Sequence, residues 1–175
     1  LGHSMGGAIA LELAINHPGR LRRLVLGSTT ARLSARNEQL FDAWVELIRQ
    51  GCDAEAVTRE IFLWMYPPWM YEDPVFLDTL VRECMEYPYF QPFDGLVGQV
   101  EALRGFDVRD RLGDIQAPVL VLHGEQDQLI PPDEGVSLGR AIPGSRVEIL
   151  DGAGHLPHRQ LRESFARLAG DFLEE

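Results

Sequence analysis

Three short stretches of the chain carry residue types that together can attack and hydrolyse an acyl carbon. The first, Gly2-His3-Ser4-Met5-Gly6, follows the pattern Gly-x-Ser-x-Gly. A serine in that pattern sits on a sharp strand-to-helix turn in strained backbone geometry, and neighbours without side chains let strand and helix approach closely. The turn presents the hydroxyl at the N-terminus of the next helix, where the dipole and free N–H groups favour a developing oxyanion. The Met5 N–H is one candidate donor. In a chain with 17 glycines so short a pattern can arise by chance, and it needs support from elsewhere.

Two later stretches supply it. His123-Gly124-Glu125-Gln126-Asp127-Gln128-Leu129-Ile130-Pro131 follows an apolar run and places Asp127 just past the end of a strand. Asp151-Gly152-Ala153-Gly154-His155 follows the next strand and is a flexible loop that can bring His155 to the same edge. The C-terminal edge of a parallel sheet is where such sites are built. The chain order Ser4, Asp127, His155 is serine, acid, histidine, the order of one hydrolase fold and unlike either protease order.

Other polar residues have plainer readings. His3 reads as a packing or hydrogen-bonding neighbour of the serine, and His123 as structural. His158 is the runner-up to His155, and Glu125 competes with Asp127 for the acid role. Arg20, Arg22 and Arg23 read as a solvated turn.

The elements that must position these groups are legible from periodicity. Met5 to about His17 is small or apolar apart from Glu12, which predicts a helix buried nearly all round; His17-Pro18-Gly19 ends it. Leu24-Val25-Leu26 and Val119-Leu120-Val121-Leu122 are short continuous apolar runs, the pattern of parallel strands covered on both faces. Arg146 to Leu150 alternates polar and apolar, which suits an edge strand. Three strands are therefore expected, with only Leu1 left of the one entering Ser4. Helices are predicted over Asp133 to Ala141 and from Arg159 to the end, the latter with a stripe of Leu161, Phe165, Leu168 and Phe172.

Between the first two apolar runs the composition changes. Residues 31–106 hold thirteen of the fifteen aromatics and read as four helices: Arg36 to Gln50, Asp53 to Trp64, Asp73-Pro74 to before Pro88, and Pro92 to Leu103. The organisation is thus residues 1–30 and 107–175 as an α/β core, with residues 31–106 as a helical cap inserted in it. Trp44, Trp64, Trp69 and Tyr71 are the candidates to line a pocket beneath the cap.

Composition excludes several function classes. The net charge is −11, from 16 basic and 27 acidic residues, which argues against nucleic acid or an anionic membrane as partner. Every basic residue is arginine. No apolar run reaches the ~18–20 residues of a membrane span. Cys52 and Cys84 are too few for a disulfide scaffold and lack metal-ligand spacing, so a reduced compartment, the cytoplasm, is the default. The chain starts at Leu1 rather than methionine, and the true N-terminus, with any leader, is expected to lie upstream.

Over essentially its whole length the chain resembles the C-terminal two-thirds of an α/β-hydrolase. The elbow around Ser4, the His-Gly-x-x-Asp loop at Asp127 and the Gly-His loop at His155 carry the resemblance. It implies that Ser4 is the nucleophile, His155 the general base and acid, and Asp127 the group orienting the imidazole, with no metal or organic cofactor. The cap resembles the lid of the esterase, lactonase and carbon–carbon-bond hydrolase branch, with 3-oxoadipate enol-lactonase-like members nearest. The family often has glutamate and proline where this chain has Gln160 and Arg162. The implied partner is a small-molecule ester or lactone; carbon–carbon cleavage, acyl transfer and a non-catalytic receptor on the same fold stay open. The resemblance places roughly five strands and two helices before the serine, about 80–100 residues at typical element lengths. The 175 residues alone are then expected to be inactive, with the strand near Leu24 left as an unpaired edge.

Overall fold

A computed structural model describes all residues, 1–175. Its centre is a four-stranded, all-parallel sheet in the order β1-β2-β3-β4. The strands are β1 (Gly2–His3), β2 (Leu24–Gly27), β3 (Val119–Gly124) and β4 (Arg146–Leu150). Four strands therefore stand where three were expected. Gly2 and His3 pair with Leu26 and Gly27, so β2 is not a bare edge along its second half.

β2 and β3 are buried at every position, as continuous apolar runs require. Their side chains alternate between two cores. Leu24, Leu26, Val119 and Val121 pack with Leu11, Ile15, Leu138 and Ile142 on one face. Val25, Leu120 and Leu122 pack with Phe165, Ala169 and Phe172 on the other. Fully burying each such side chain contributes about 1.5–3 kcal/mol. The first core is closed by α1 (Met5–Asn16) and, after β3, α6 (Pro132–Ala141). β4 ends the sheet and exposes Arg146 and Glu148, the wet side its alternation predicts.

Two helices depart from expectation. α1 is not buried all round: Leu11 and Ala14 are interior, while Ile9 is 60% and Leu13 39% exposed. The C-terminal stretch is two helices, α7 (Pro157–Gln160) and α8 (Arg162–Glu174). Leu161 separates them with non-helical backbone (φ −122°, ψ 53°) while its side chain packs on the second core.

Between β2 and β3 lie α2 (Ala35–Arg49), α3 (Ala54–Met65), α4 (Phe76–Met85) and α5 (Phe93–Leu103). Ser34 and Asp53 cap α2 and α3 by accepting the N–H groups of Asn37 and Ala56. α4 starts later than the Asp73-Pro74 signal, because Asp73 spends its carboxylate on a turn, accepting the Val75 N–H at 3.1 Å. An antiparallel bridge between Arg32 and Asp107 joins the two ends of this segment. The core under these helices contains Phe41, Trp44, Val45 and Val100, and Leu129 and Ile130 from the loop after β3 insert into it. No helix is long and apolar enough to cross a membrane.

Candidate active site

Ser4 stands between β1 and α1 with φ 52° and ψ −122°, a region costing a non-glycine residue about 1–3 kcal/mol. Three contacts hold it there. Its N–H donates to the Gly27 carbonyl at 2.8 Å and its carbonyl accepts from the Gly7 N–H at 2.8 Å. The Thr29 hydroxyl donates to the same carbonyl at 2.8 Å. The glycines are not equivalent. A Cβ at Gly2 would lie 2.3 Å from the Gly6 carbonyl oxygen, and one at Gly7 2.5 Å from the Thr29 side chain, whereas one at Gly6 would meet open space. Close approach of strand and helix thus rests on Gly2 and Gly7. No hydrogen bond within the chain engages the Met5 N–H, one of the free donors at the helix start.

Of the other two predicted residues, His155 meets Ser4 and Asp127 meets His155. His155 Nε2 is 3.0 Å from Ser4 Oγ, and His155 Nδ1 is 2.8 Å from Asp127 Oδ2. With Asp127 ionised, Nδ1 carries the proton and donates to the carboxylate, leaving Nε2 to accept from the serine hydroxyl. Both His155 and Asp127 are buried. Burial opposes the Asp127 charge, yet hydrogen bonds from His123 and His155 outweigh it and hold the carboxyl at about 2. Such a line of groups can move a proton from a hydroxyl to an imidazole whose charge the carboxylate stabilises.

Backbone contacts between loops fix this alignment. The Gln126 N–H donates to the Ala153 carbonyl at 2.8 Å and the His155 N–H to the Met65 carbonyl at 2.9 Å. A Cβ at Gly124 would lie 2.1 Å from the Gly154 carbonyl oxygen, so only glycine lets the acid strand and histidine loop touch. Gln160 Oε1 accepts the Gly154 N–H, which ties the histidine loop to α7. Glu125, the competing acid, instead accepts the Gly152 N–H. Asn37 Nδ2 donates to the Leu129 carbonyl, tying α2 to the acid loop. Neither the Asn37 nor the Thr29 contact was legible in the sequence, since each bridges segments with no local pattern.

His3 and His158 flank the site without joining it. His3 Nε2 lies 2.7 Å from the His155 carbonyl oxygen, and its ring stands 4.6 Å from that of His158. Burial first, then the neighbouring His155, pushes the His3 imidazole down to about 4. Burial likewise lowers His158, helped by Arg159; its ring also packs on Phe165.

The aromatic pocket candidates lie elsewhere than beside the serine. The cavity at Ser4 is about 20 Å³ and its apolar wall includes Leu33, Phe41, Leu103, Phe106 and Ile130. Phe41 and Phe106 are its aromatics. Trp44 is buried against Phe41 in the core of the helical segment. Trp64 donates to Glu60 and lies under the Arg36 guanidinium. Trp69 is 56% exposed and bonds the Gly152 carbonyl, and Tyr71 bonds the Phe62 carbonyl. A larger cavity of about 570 Å³ lies among Thr58, Phe62, Leu80, Cys84 and Phe93 and shares no lining residue with the one at Ser4. No group of three or more His, Cys, Asp or Glu side chains is arranged to hold a metal ion.

A parallel sheet that presents a serine on a strand-to-helix turn, with an acid and a histidine on the loops after two later strands, is the architecture of an α/β hydrolase. The chain belongs to that family, whose model, described as alpha/beta hydrolase fold, matches residues 1–159. It is 33% identical over 158 residues to "Putative carbamate hydrolase RutD" of Agrobacterium fabrum (strain C58 / ATCC 33970), covering 89% of this chain and 59% of that protein. It is 28% identical over 196 residues to a pimeloyl-[acyl-carrier protein] methyl ester esterase of Neisseria meningitidis serogroup C, covering 99% of this chain and 68% of that protein. Among solved structures, the enol-lactonase from Burkholderia xenovorans LB400 superposes with a TM-score of 0.84 at 27% identity, over 99% of this chain and 64% of that one.

Proposed function

We propose that the protein carrying this chain is a serine hydrolase that cleaves a carboxylic ester or lactone through an acyl-enzyme. The observation that carries the reading is the line Ser4 Oγ, His155 Nε2, His155 Nδ1, Asp127 Oδ2, with contacts of 3.0 and 2.8 Å. Ser4 attacks the carbonyl carbon while His155 Nε2 takes the hydroxyl proton. Asp127 holds the imidazole by Nδ1 and stabilises its charge. The Met5 N–H donates to the oxyanion. His155 then returns the proton to the leaving alkoxide, and water repeats the sequence on the acyl-enzyme.

Relatives named for carbamate and methyl ester hydrolysis and a structural neighbour named an enol-lactonase support a hydrolytic class. The apolar wall beside Ser4 favours neutral acyl chains or rings, because desolvating an unpaired charge is costly. Of the arginines that could instead receive an anion, Arg59 is bonded to Asp78 and Glu55, and Arg104 to Asp42; Arg82 forms no ion pair. The reading requires no cofactor; the two free cysteines, Cys52 and Cys84, favour a reduced compartment, the cytoplasm.

The test is a panel of p-nitrophenyl esters, lactones, carbamates, a dicarboxylate monoester and a β-diketone as the carbon–carbon substrate, run on the protein and on Ser4→Ala. Turnover of esters or lactones that vanishes in Ser4→Ala supports the reading. Turnover confined to carbon–carbon cleavage, or a tenfold preference for the dicarboxylate monoester, would replace it.

A further inference from the structure

His123 is wholly buried at the end of β3, and the chemistry above does not use it. Its Nε2 lies 2.8 Å from the Ile130 carbonyl oxygen and 3.3 Å from Asp127 Oδ2. Both partners are acceptors, so Nε2 carries the proton and shares it between them. On the other side of the ring, Nδ1 has no hydrogen-bond partner, and a Cβ at Gly135 of α6 would lie 2.4 Å from it. The ring is therefore clamped in one orientation, with one nitrogen facing the acid loop and the other unpaired. A residue that only filled this space would be apolar, since burying a polar nitrogen without a partner is unfavourable. The orphaned Nδ1 is tolerated for what Nε2 does.

Asp127 shows what that is. Its Oδ1 accepts the backbone N–H groups of Leu129 at 3.0 Å and Ile130 at 2.9 Å, and Oδ2 receives His155 and His123. A carboxylate rotates broadly about its last torsion, so its donors decide where each oxygen points. His123 is the one side chain that engages both Oδ2 and the far end of the loop at Ile130. We propose that His123 is a positioning residue: its Nε2–H ties Asp127 Oδ2 to the Ile130 carbonyl, so the carboxylate stays aimed at His155 Nδ1. The proposal rests on the reading of Ser4, His155 and Asp127 given above.

The titratable groups around the Asp127 carboxylate are His123, His155 and His3, whose ring stands 5.1 Å from that of His155; Glu134 on α6 turns away to the Thr30 hydroxyl. Removing the His123 donor leaves His155 as the one side-chain donor to Asp127 Oδ2 and frees the carboxylate to turn. The imidazole is then held less firmly toward Ser4, and kcat falls.

The experiment compares His123→Met, which fills the space without a donor, with His123→Gln, whose Nε2 can reach both acceptors. Readouts are kcat, KM and the NMR resonance of the His155 Nδ1 proton, which reports its bond to Asp127 Oδ2. In His123→Met, kcat is expected to fall about 10-fold, far less than for loss of the orienting acid itself. KM should stay within about twofold and the downfield resonance of the His155 Nδ1 proton should move upfield or broaden; His123→Gln should restore kcat and the resonance. A wild-type kcat and a wild-type Nδ1 proton resonance in His123→Met overturn the proposal. So does a Gln variant that fails to fold or is as impaired as Met. Ser4→Ala run alongside separates the two claims: activity surviving in it refutes the serine reading, while the His155 Nδ1 proton resonance still reports on His123.

Discussion

The Thr29 hydroxyl donates to the Ser4 carbonyl at 2.8 Å, so the residue just beyond β2 holds the turn that strains the serine. Thr29 is buried, and it also fills the space that only a glycine at position 7 leaves open. Backbone strain is thus located in the proposed nucleophile and maintained by its neighbours.

Ser4→Gly should therefore raise stability while abolishing hydrolysis. Glycine adopts positive φ at little cost, so the variant is expected to gain about 1 kcal/mol after the added unfolded-state entropy is subtracted. Urea denaturation of both forms measures it; a less stable Ser4→Gly would show that the turn stores no strain.

The acid assignment separates cleanly from its competitor. Asp127→Asn should lower kcat by orders of magnitude, up to about 10⁴, through the wrong imidazole tautomer. Glu125→Gln should keep near-wild-type kcat, since Glu125 only accepts the Gly152 N–H. A dead Glu125→Gln beside an active Asp127→Asn would reverse the assignment.

His3 makes stability pH-dependent. Its folded pKa of about 4 lies below the ordinary 6.5, so the unfolded chain takes up the proton first. Stability is complete above pH 6.5 and falls as pH drops toward 4, by about 3 kcal/mol from this group. His158 shifts in the same direction. Asp127, lowered from 3.8 to about 2, adds its own loss only below pH 4. His3→Gln should flatten the curve between pH 6.5 and 4; an unchanged slope would assign the loss to other groups.

The tryptophans should divide between stability and neither role. Trp44→Ala, at 3% exposure, is expected to cost about 3–5 kcal/mol. Trp69→Ala, mostly exposed, should cost under about 1 kcal/mol. Thermal unfolding checks both, and a large KM change for either would restore it as a pocket residue.

What could be read from the sequence was what local pattern encodes. Continuous apolar runs at Leu24 and Val119 mark strands buried on both faces, and glycines with Ser4, Asp127 and His155 mark three loops at one edge. The alternation at Arg146 marks the sheet's end. Pocket walls were not legible, because Trp and Phe share one hydrophobic signature and only packing decides that Phe41 and Phe106 face Ser4 while Trp44 faces inward. His123 looked structural because its meeting with Asp127 depends on how the acid loop folds back. The break at Leu161 escaped detection because its side chain fits the helical stripe while its backbone leaves it.

The most direct test of the central claim is covalent labelling with a fluorophosphonate, read by peptide mass spectrometry in the protein carrying this chain. The account predicts one adduct, on Ser4, formed quickly at neutral pH, suppressed in His155→Ala and absent in Ser4→Ala. A folded protein that hydrolyses esters yet carries no adduct on Ser4, or labels equally in His155→Ala, would contradict it.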